Sequence, residues 1–230
     1  MDKYSLNGEW QLKIIGENVY QIPETFVSAT VPGTVFGTYL EKNMMPDPFY
    51  RDNELDATKL AENDFEYVKT FTVTKEQLAC DRLLLVFEGI DTLADIYLND
   101  ELVKSTCNMH IRHEIDVLKR LRVGENVLRV VLHSPVKYIR EENEKVYTGG
   151  SHECMEGYPH LRKTHCMFGW DWGPRLPDAG IYRPVYLCGI NKARLKDVYV
   201  RQTHGDNRVV LNLDTGVELA DKILLEVKTT

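Results

Sequence analysis

The chain has 230 residues, 43% hydrophobic, 10% aromatic and 27% charged, which is the composition of an ordinary globular protein and excludes disordered and fibrous classes. Its net charge of −7, with no basic run beyond Lys119-Arg120-Leu121-Arg122, argues against nucleic acid as a partner. No apolar run is long enough to span a bilayer, so no membrane partner is expected either.

The N-terminus, Met1-Asp2-Lys3-Tyr4-Ser5-Leu6-Asn7-Gly8, lacks the basic segment and apolar stretch of a signal peptide. The five cysteines, Cys80, Cys107, Cys154, Cys166 and Cys188, are odd in number and scattered, the pattern of reduced thiols rather than of a disulfide framework. Both features point to a cytoplasmic protein.

Short β-type segments dominate the chain up to His133. Residues 9–15, 66–74, 82–88, 92–98, 110–117 and 126–133 are rich in Val, Ile, Leu, Tyr and Phe and are separated by turn residues. Within the fourth of these, Ala94, Ile96 and Leu98 fall on one face, and Asn99-Asp100 offers a tight hairpin before Leu102-Val103. Two pieces stand apart. Residues 35–42 read as a helix capped by the Thr34 hydroxyl, and residues 136–145 as a helical or irregular stretch too charged for the core. With strands predominating and almost no βαβ alternation, the expected fold is all-β, an antiparallel jelly-roll sandwich.

Between His133 and the next clear strand, residues 182–188, the chain runs far longer than the usual connection of a compact domain. This stretch concentrates Tyr, Phe, Trp and His residues. After Gly189, residues 197–202, 208–213 and 222–228 read as strands of a second unit, too little chain to close an immunoglobulin-like sandwich of about 100 residues. The expected division is therefore residues 1–192 as a jelly-roll domain and residues 193–230 as the start of an incomplete immunoglobulin-like one. A chain that stops within a domain reads as a fragment of a longer protein.

The most informative segment is Phe168-Gly169-Trp170-Asp171-Trp172-Gly173-Pro174-Arg175, which holds two of the three tryptophans around one carboxylate. In an extended backbone Trp170 and Trp172 point one way and Asp171 the other, and a turn at Gly173-Pro174 would make them converge. Sugars need that pairing: their C–H faces stack on an indole while a carboxylate accepts hydrogen bonds from neighbouring hydroxyls. The plainer alternative is that both tryptophans are core residues and Asp171 caps a turn.

Arg162-Lys163, Gly169-Trp170-Asp171-Trp172-Gly173-Pro174 and Gly180-Ile181-Tyr182-Arg183-Pro184-Val185 together resemble the β-mannosidase branch of glycoside hydrolase family 2. Leu6-Asn7-Gly8-Glu9-Trp10, Val31-Pro32-Gly33-Thr34-Val35, Pro46-Asp47-Pro48-Phe49-Tyr50 and Phe87-Glu88-Gly89-Ile90-Asp91-Thr92-Leu93-Ala94 resemble the same branch in the same order. Asn7-Gly8-Glu9-Trp10 also recurs in β-galactosidases and β-glucuronidases, whereas the Trp-Asp-Trp-Gly-Pro loop is more particular to β-mannosidases. The resemblance implies a jelly roll, an immunoglobulin-like domain and then a catalytic (β/α)8 barrel, which this chain lacks. It also implies that Trp170, Asp171 and Trp172 reach into the barrel's pocket to bind a terminal mannose. Tyr182 departs from the tryptophan that many members carry.

Weaker signals have plainer readings. Asn53-Glu54 and Asn143-Glu144 match the Asn-Glu pair that holds the family's acid/base, but neither has a partner carboxylate in a comparable context, so no catalytic residue is expected. His152, Cys154, His160, His165 and Cys166 match no zinc-ligand spacing, and no Gly-rich phosphate cradle is present. Neither metal nor cofactor is indicated. Three functions fit: a barrel-supporting domain that completes a sugar pocket for a β-mannoside or manno-oligosaccharide, a free-standing carbohydrate-binding module, or a scaffold that touches no sugar. The corresponding domain of a β-galactosidase or β-glucuronidase is the nearest alternative parentage.

Overall fold

A computed structural model describes residues 2–219; the strand expected at 222–228 lies outside the described residues. The first part of the chain runs β1 (Asp2–Ser5), β2 (Gly8–Ile15), β3 (Val27–Val31), β4 (Gly33–Thr34), α1 (Val35–Glu41), α2 (Asn53–Leu60) and β5 (Asp64–Val73). Then come β6 (Arg82–Phe87), β7 (Leu93–Leu98), β8 (Glu101–Cys107), β9 (His113–Asp116), β10 (Gly124–Leu132) and α3 (Pro135–Lys145). Last come β11 (Phe168–Trp170), β12 (Gly173–Arg175), β13 (Gly180–Ile181), β14 (Val185–Ile190), β15 (Ala193–Gly205) and β16 (Arg208–Leu219).

Two antiparallel sheets make the sandwich: a six-stranded one in the order β3-β2-β5-β10-β7-β8 and a four-stranded one in the order β1-β14-β6-β9. The family of folds is the expected one, an all-β jelly roll. Period-two burial builds the core from the six-stranded side, with Leu128, Val130 and Leu132 of β10 facing inward beside Ala94, Ile96 and Leu98 of β7. Trp10 is fully buried on β2, its indole N–H donates to the Leu6 carbonyl at 2.8 Å, and its ring meets Tyr67 edge-on.

The expected turn chemistry is present. Asn99 and Asp100 take positive φ of 49° and 68°, as a two-residue hairpin turn of matching twist requires. Thr34 caps α1 by accepting from the Gly37 N–H at 3.1 Å.

Three expectations need correction. α2 has no counterpart in the sequence reading, because its only buried residues are Ala57 and Leu60 and its N-cap Asp52 makes no side-chain capping bond. Residues 135–145 do form a helix, started by Pro135 and capped by Ser134, and despite its charge one face reaches the core through Pro135, Val136 and Ile139. Finally, the expected strands 197–202 and 208–213 are halves of a longer hairpin, β15–β16, whose side chains are almost all exposed.

The root of that hairpin is tied to the outer face of the four-stranded sheet. The pairing of β6 with β9 and β14 puts Leu84, Val86, Glu114, Asp116, Tyr186 and Cys188 on that face. Arg194 of β15 binds Glu114 of β9 and reaches Glu218 of β16 through Nε at 2.7 Å, while Arg82 of β6 joins Glu218 to Asp116. A guanidinium fork shared between two carboxylates is the geometry in which arginine binds best.

Candidate functional site

The segment after α3 is pinned from beneath and bare at its tip. Lys163, fully buried, sends its ammonium to the Asp91 carboxylate and to the Asp178 carbonyl, the latter at 2.6 Å. Asp91 and Gly180 exchange both backbone hydrogen bonds, at 2.8 and 3.1 Å. The Asp178 carboxylate accepts from the backbone N–H groups of Phe36, at 3.0 Å, and Ala179. Burial lowers the Lys163 pKa from its ordinary value, against the opposing pull of Asp91. Burial also pushes the Asp178 carboxyl up to about 6, against the hydrogen bonds from Phe36, Thr34 and Ala179 and the charge of Lys163.

On this base stands the β11–β12 hairpin. Phe168 is fully buried against Ile139 and Leu161. The Met155 N–H donates to the Phe168 carbonyl at 2.9 Å and the Cys154 thiol to the Gly169 carbonyl at 2.7 Å. Arg175 Nε donates to the Glu153 carbonyl at 3.1 Å, and the Thr58 hydroxyl of α2 to the Arg175 carbonyl at 2.8 Å. Gly169 sits at φ +104°, where a Cβ would fall 2.9 Å from the Glu153 carbonyl oxygen and 2.6 Å from Arg175 Cγ, so no other residue fits.

Trp170 pairs with Gly173 across the hairpin, leaving Asp171-Trp172 as its two-residue turn. The turn expected at Gly173-Pro174 is therefore two residues earlier, because those two residues belong to the returning strand. Trp170 is 45% exposed and Trp172 79%, which removes the reading of both as core residues. Asp171 is exposed and makes no hydrogen bond or ion pair among the described residues, so it is not a turn cap either.

All three expected site residues line one open groove of about 460 Å³, within the size range of small-molecule sites. Its other lining comes from Pro48, Phe49 and Arg51, between the first two helices, and from Glu54 in the first turn of α2. Sequence reasoning set Glu54 aside with Glu144. Glu144 lies exposed on α3 and is not among the groove's lining residues, whereas Glu54 is. The one available signal was the run Pro46-Asp47-Pro48-Phe49-Tyr50, whose place opposite the tryptophans only the fold reveals.

Three of the histidines and cysteines of this segment are separately engaged. Cys154 is bound to Gly169, His160 meets the Val146 carbonyl at 2.9 Å, and His165 packs edge-on against Tyr158. Among the described residues no group of three or more His, Cys, Asp or Glu side chains is placed to hold a metal ion. No helix among the described residues is long and apolar enough to cross a membrane.

A jelly-roll sandwich whose longest connection presents aromatic rings and an unpaired carboxylate over a groove belongs to the class of galactose-binding-like domains. Residues 10–183 match the model of the glycosyl hydrolase 2 galactose-binding domain-like family, and the chain belongs to that family. It is 34% identical over 199 residues to the β-mannosidase of Bos taurus, covering 83% of this chain and 22% of that protein. The β-mannosidase of Capra hircus is 33% identical over the same span. The crystal structure of a β-D-mannosidase from Dictyoglomus thermophilum matches with a TM-score of 0.87 and 38% identity, over 95% of this chain and 26% of that one. A β-glucuronidase of an uncultured Clostridium, 20% identical with a TM-score of 0.61, shares the fold. The chain thus spans roughly a quarter of the length of these relatives.

Proposed function

We propose that this chain is the N-terminal, non-catalytic part of a retaining β-mannosidase that removes terminal, non-reducing β-mannose. In this reading residues 1–192 are the jelly-roll domain, residues 193–230 begin an immunoglobulin-like one, and the jelly roll supports a catalytic (β/α)8 barrel contributed by further chain. Trp170 and Asp171 belong to the mannose subsite: the indole stacks on the sugar's C–H face and the carboxylate accepts from two hydroxyls, while Trp172 supports the loop. The reading rests on one observation above all. Two large aromatics and a partnerless carboxylate are held out from a buried base, an arrangement with no use in the fold itself. Similarity to β-mannosidases at 38% and 34% identity supports the substrate class. The odd number and scattered placement of the five cysteines support a cytoplasmic location.

The test is Asp171→Ala in the longer protein. Each lost charged hydrogen bond costs about 1.5–3 kcal/mol, so two of them lower kcat/KM for β-mannosides roughly 10²- to 10⁴-fold. Thermal stability should barely move, because Asp171 is exposed. Activity within a few-fold of wild type would sink the assignment, and preferential hydrolysis of β-galactosides or β-glucuronides would move the protein to another branch. The 230-residue chain alone should not hydrolyse p-nitrophenyl β-mannoside. Tight binding of β-1,4-mannobiose by the isolated chain would favour a free-standing binding module instead.

A further inference from the structure

The wall of the groove that faces the tryptophans has properties that its fold does not use. Arg51 holds φ at +55°, the left-handed region that non-glycine residues rarely adopt. The loop that forces it there is bound to itself: the Asp47 carboxylate accepts from the Phe49 N–H at 2.9 Å, and the Asp47 carbonyl accepts from Asn53 Nδ2 at 2.8 Å. Strained left-handed residues of this kind collect at ligand sites, where the geometry of a side chain outweighs its cost. The guanidinium of Arg51 lies over the Tyr50 ring and, like the Glu54 carboxylate, makes no hydrogen bond or ion pair among the described residues. Glu153, on the opposite wall, differs: the Ser151 hydroxyl donates to it. Phe49 is 73% exposed at the same edge. The bond from Thr58 to Arg175 ties α2 directly to β12, so the two walls keep a fixed spacing.

We propose that residues 48–54 form a second sugar-binding wall, in which Arg51 and Glu54 are specificity-determining residues for the saccharide unit adjoining the one that Asp171 holds. The proposal rests on the sugar-groove reading above. A neutral pyranose presents adjacent hydroxyls that donate to a carboxylate and accept from a guanidinium, and its C–H face stacks on a ring such as Phe49. Of the charged side chains of this segment, Arg51 and Glu54 line the groove, one positive and one negative, a pairing that suits a neutral manno-oligosaccharide. An aryl aglycone offers no hydroxyl to either side chain.

The experiment compares β-1,4-mannobiose with p-nitrophenyl β-mannoside as substrates of the longer protein, for wild type, Arg51→Ala, Glu54→Gln and Asp171→Ala. Arg51→Ala and Glu54→Gln should each lower kcat/KM for mannobiose about 10- to 100-fold, mainly through KM, with a loss at least five-fold smaller on the aryl substrate. Equal losses on both substrates, or no loss on mannobiose, overturn the proposal. Asp171→Ala separates it from the reading beneath it. If that variant loses activity on both substrates while the Arg51 and Glu54 variants show no selectivity, the second wall alone fails. If Asp171→Ala is silent while Arg51→Ala and Glu54→Gln lose selectively, the second wall stands and the mannose subsite lies elsewhere.

Discussion

Replacing Lys163 by methionine keeps most of the side chain's volume and removes its charge. The Asp91 carboxylate, 7% exposed, then stays buried with, among the described residues, only the Thr92 hydroxyl donating to it, and the Asp178 carbonyl loses the Lys163 donor. Breaking a buried pair by removing one partner costs about 3–5 kcal/mol, because the remaining charge is uncompensated. For a domain of this size each kcal/mol lowers Tm by about 2–4 °C, so the expected drop is roughly 6–20 °C. Differential scanning calorimetry or urea titration of the 230-residue chain at pH 7 measures it. Asp91→Asn should cost less than Lys163→Met, because burial already favours the neutral amine and Lys163 can shed its proton. The double variant Asp91→Asn/Lys163→Met should recover part of the loss. A Tm within 2 °C of wild type for Lys163→Met, or a double variant no better than the single, would refute the argument.

Other outcomes follow from the same structure. His133 lies between Asp64 and Asp95, at 3.1 and 3.0 Å, and its pKa is raised from 6.5 to about 9, first by the hydrogen bond to Asp64 and against burial. A raised folded pKa gives stability that is full below pH 6.5 and lost as pH rises through 9; His133→Asn should flatten that limb of a Tm-versus-pH curve, and an unchanged limb would count against the assignment. The His133 side chain is 40% exposed, so solvent screening keeps the effect modest. Gly169→Ala should lower thermal stability and, in the longer protein, activity on β-mannosides together, because the hairpin must shift to admit a Cβ; activity at wild-type level would show that the tip's position does not matter.

What could be read without coordinates was whatever is local and periodic. The alternation in β7, the Asn99-Asp100 turn and the Thr34 cap each depend on residues within a few positions of one another. The aromatic and carboxylate cluster at 170–172 was equally visible, since its residues are consecutive. α2 escaped because its apolar face is only Ala57 and Leu60 deep. The burial of Lys163 escaped for a different reason: its partner Asp91 is 72 positions away, and no periodicity reports a pairing across that distance. Glu54 was set aside because the sequence offers it no partner carboxylate in a comparable context, a test that is silent about the groove that α2 helps to enclose.

The division of labour within residues 146–181 follows from where solvent is excluded. A long connection that leaves the sandwich must satisfy its backbone polar groups, and here the base does so with Phe168 in an apolar cluster, Cys154 and Met155 bonded to β11, and Lys163 bonded to the sandwich through Asp91. Those contacts remove most of the conformational freedom that such a length of chain would have in isolation. The tip can then expose two indoles and a free carboxylate without becoming disordered in the process, because its order is inherited from the base. A ligand of the proposed groove would therefore meet groups already in place, with no binding energy spent on ordering a loop. The same logic explains why Thr58 matters: by bonding the Arg175 carbonyl it makes the opposite wall part of the same rigid frame.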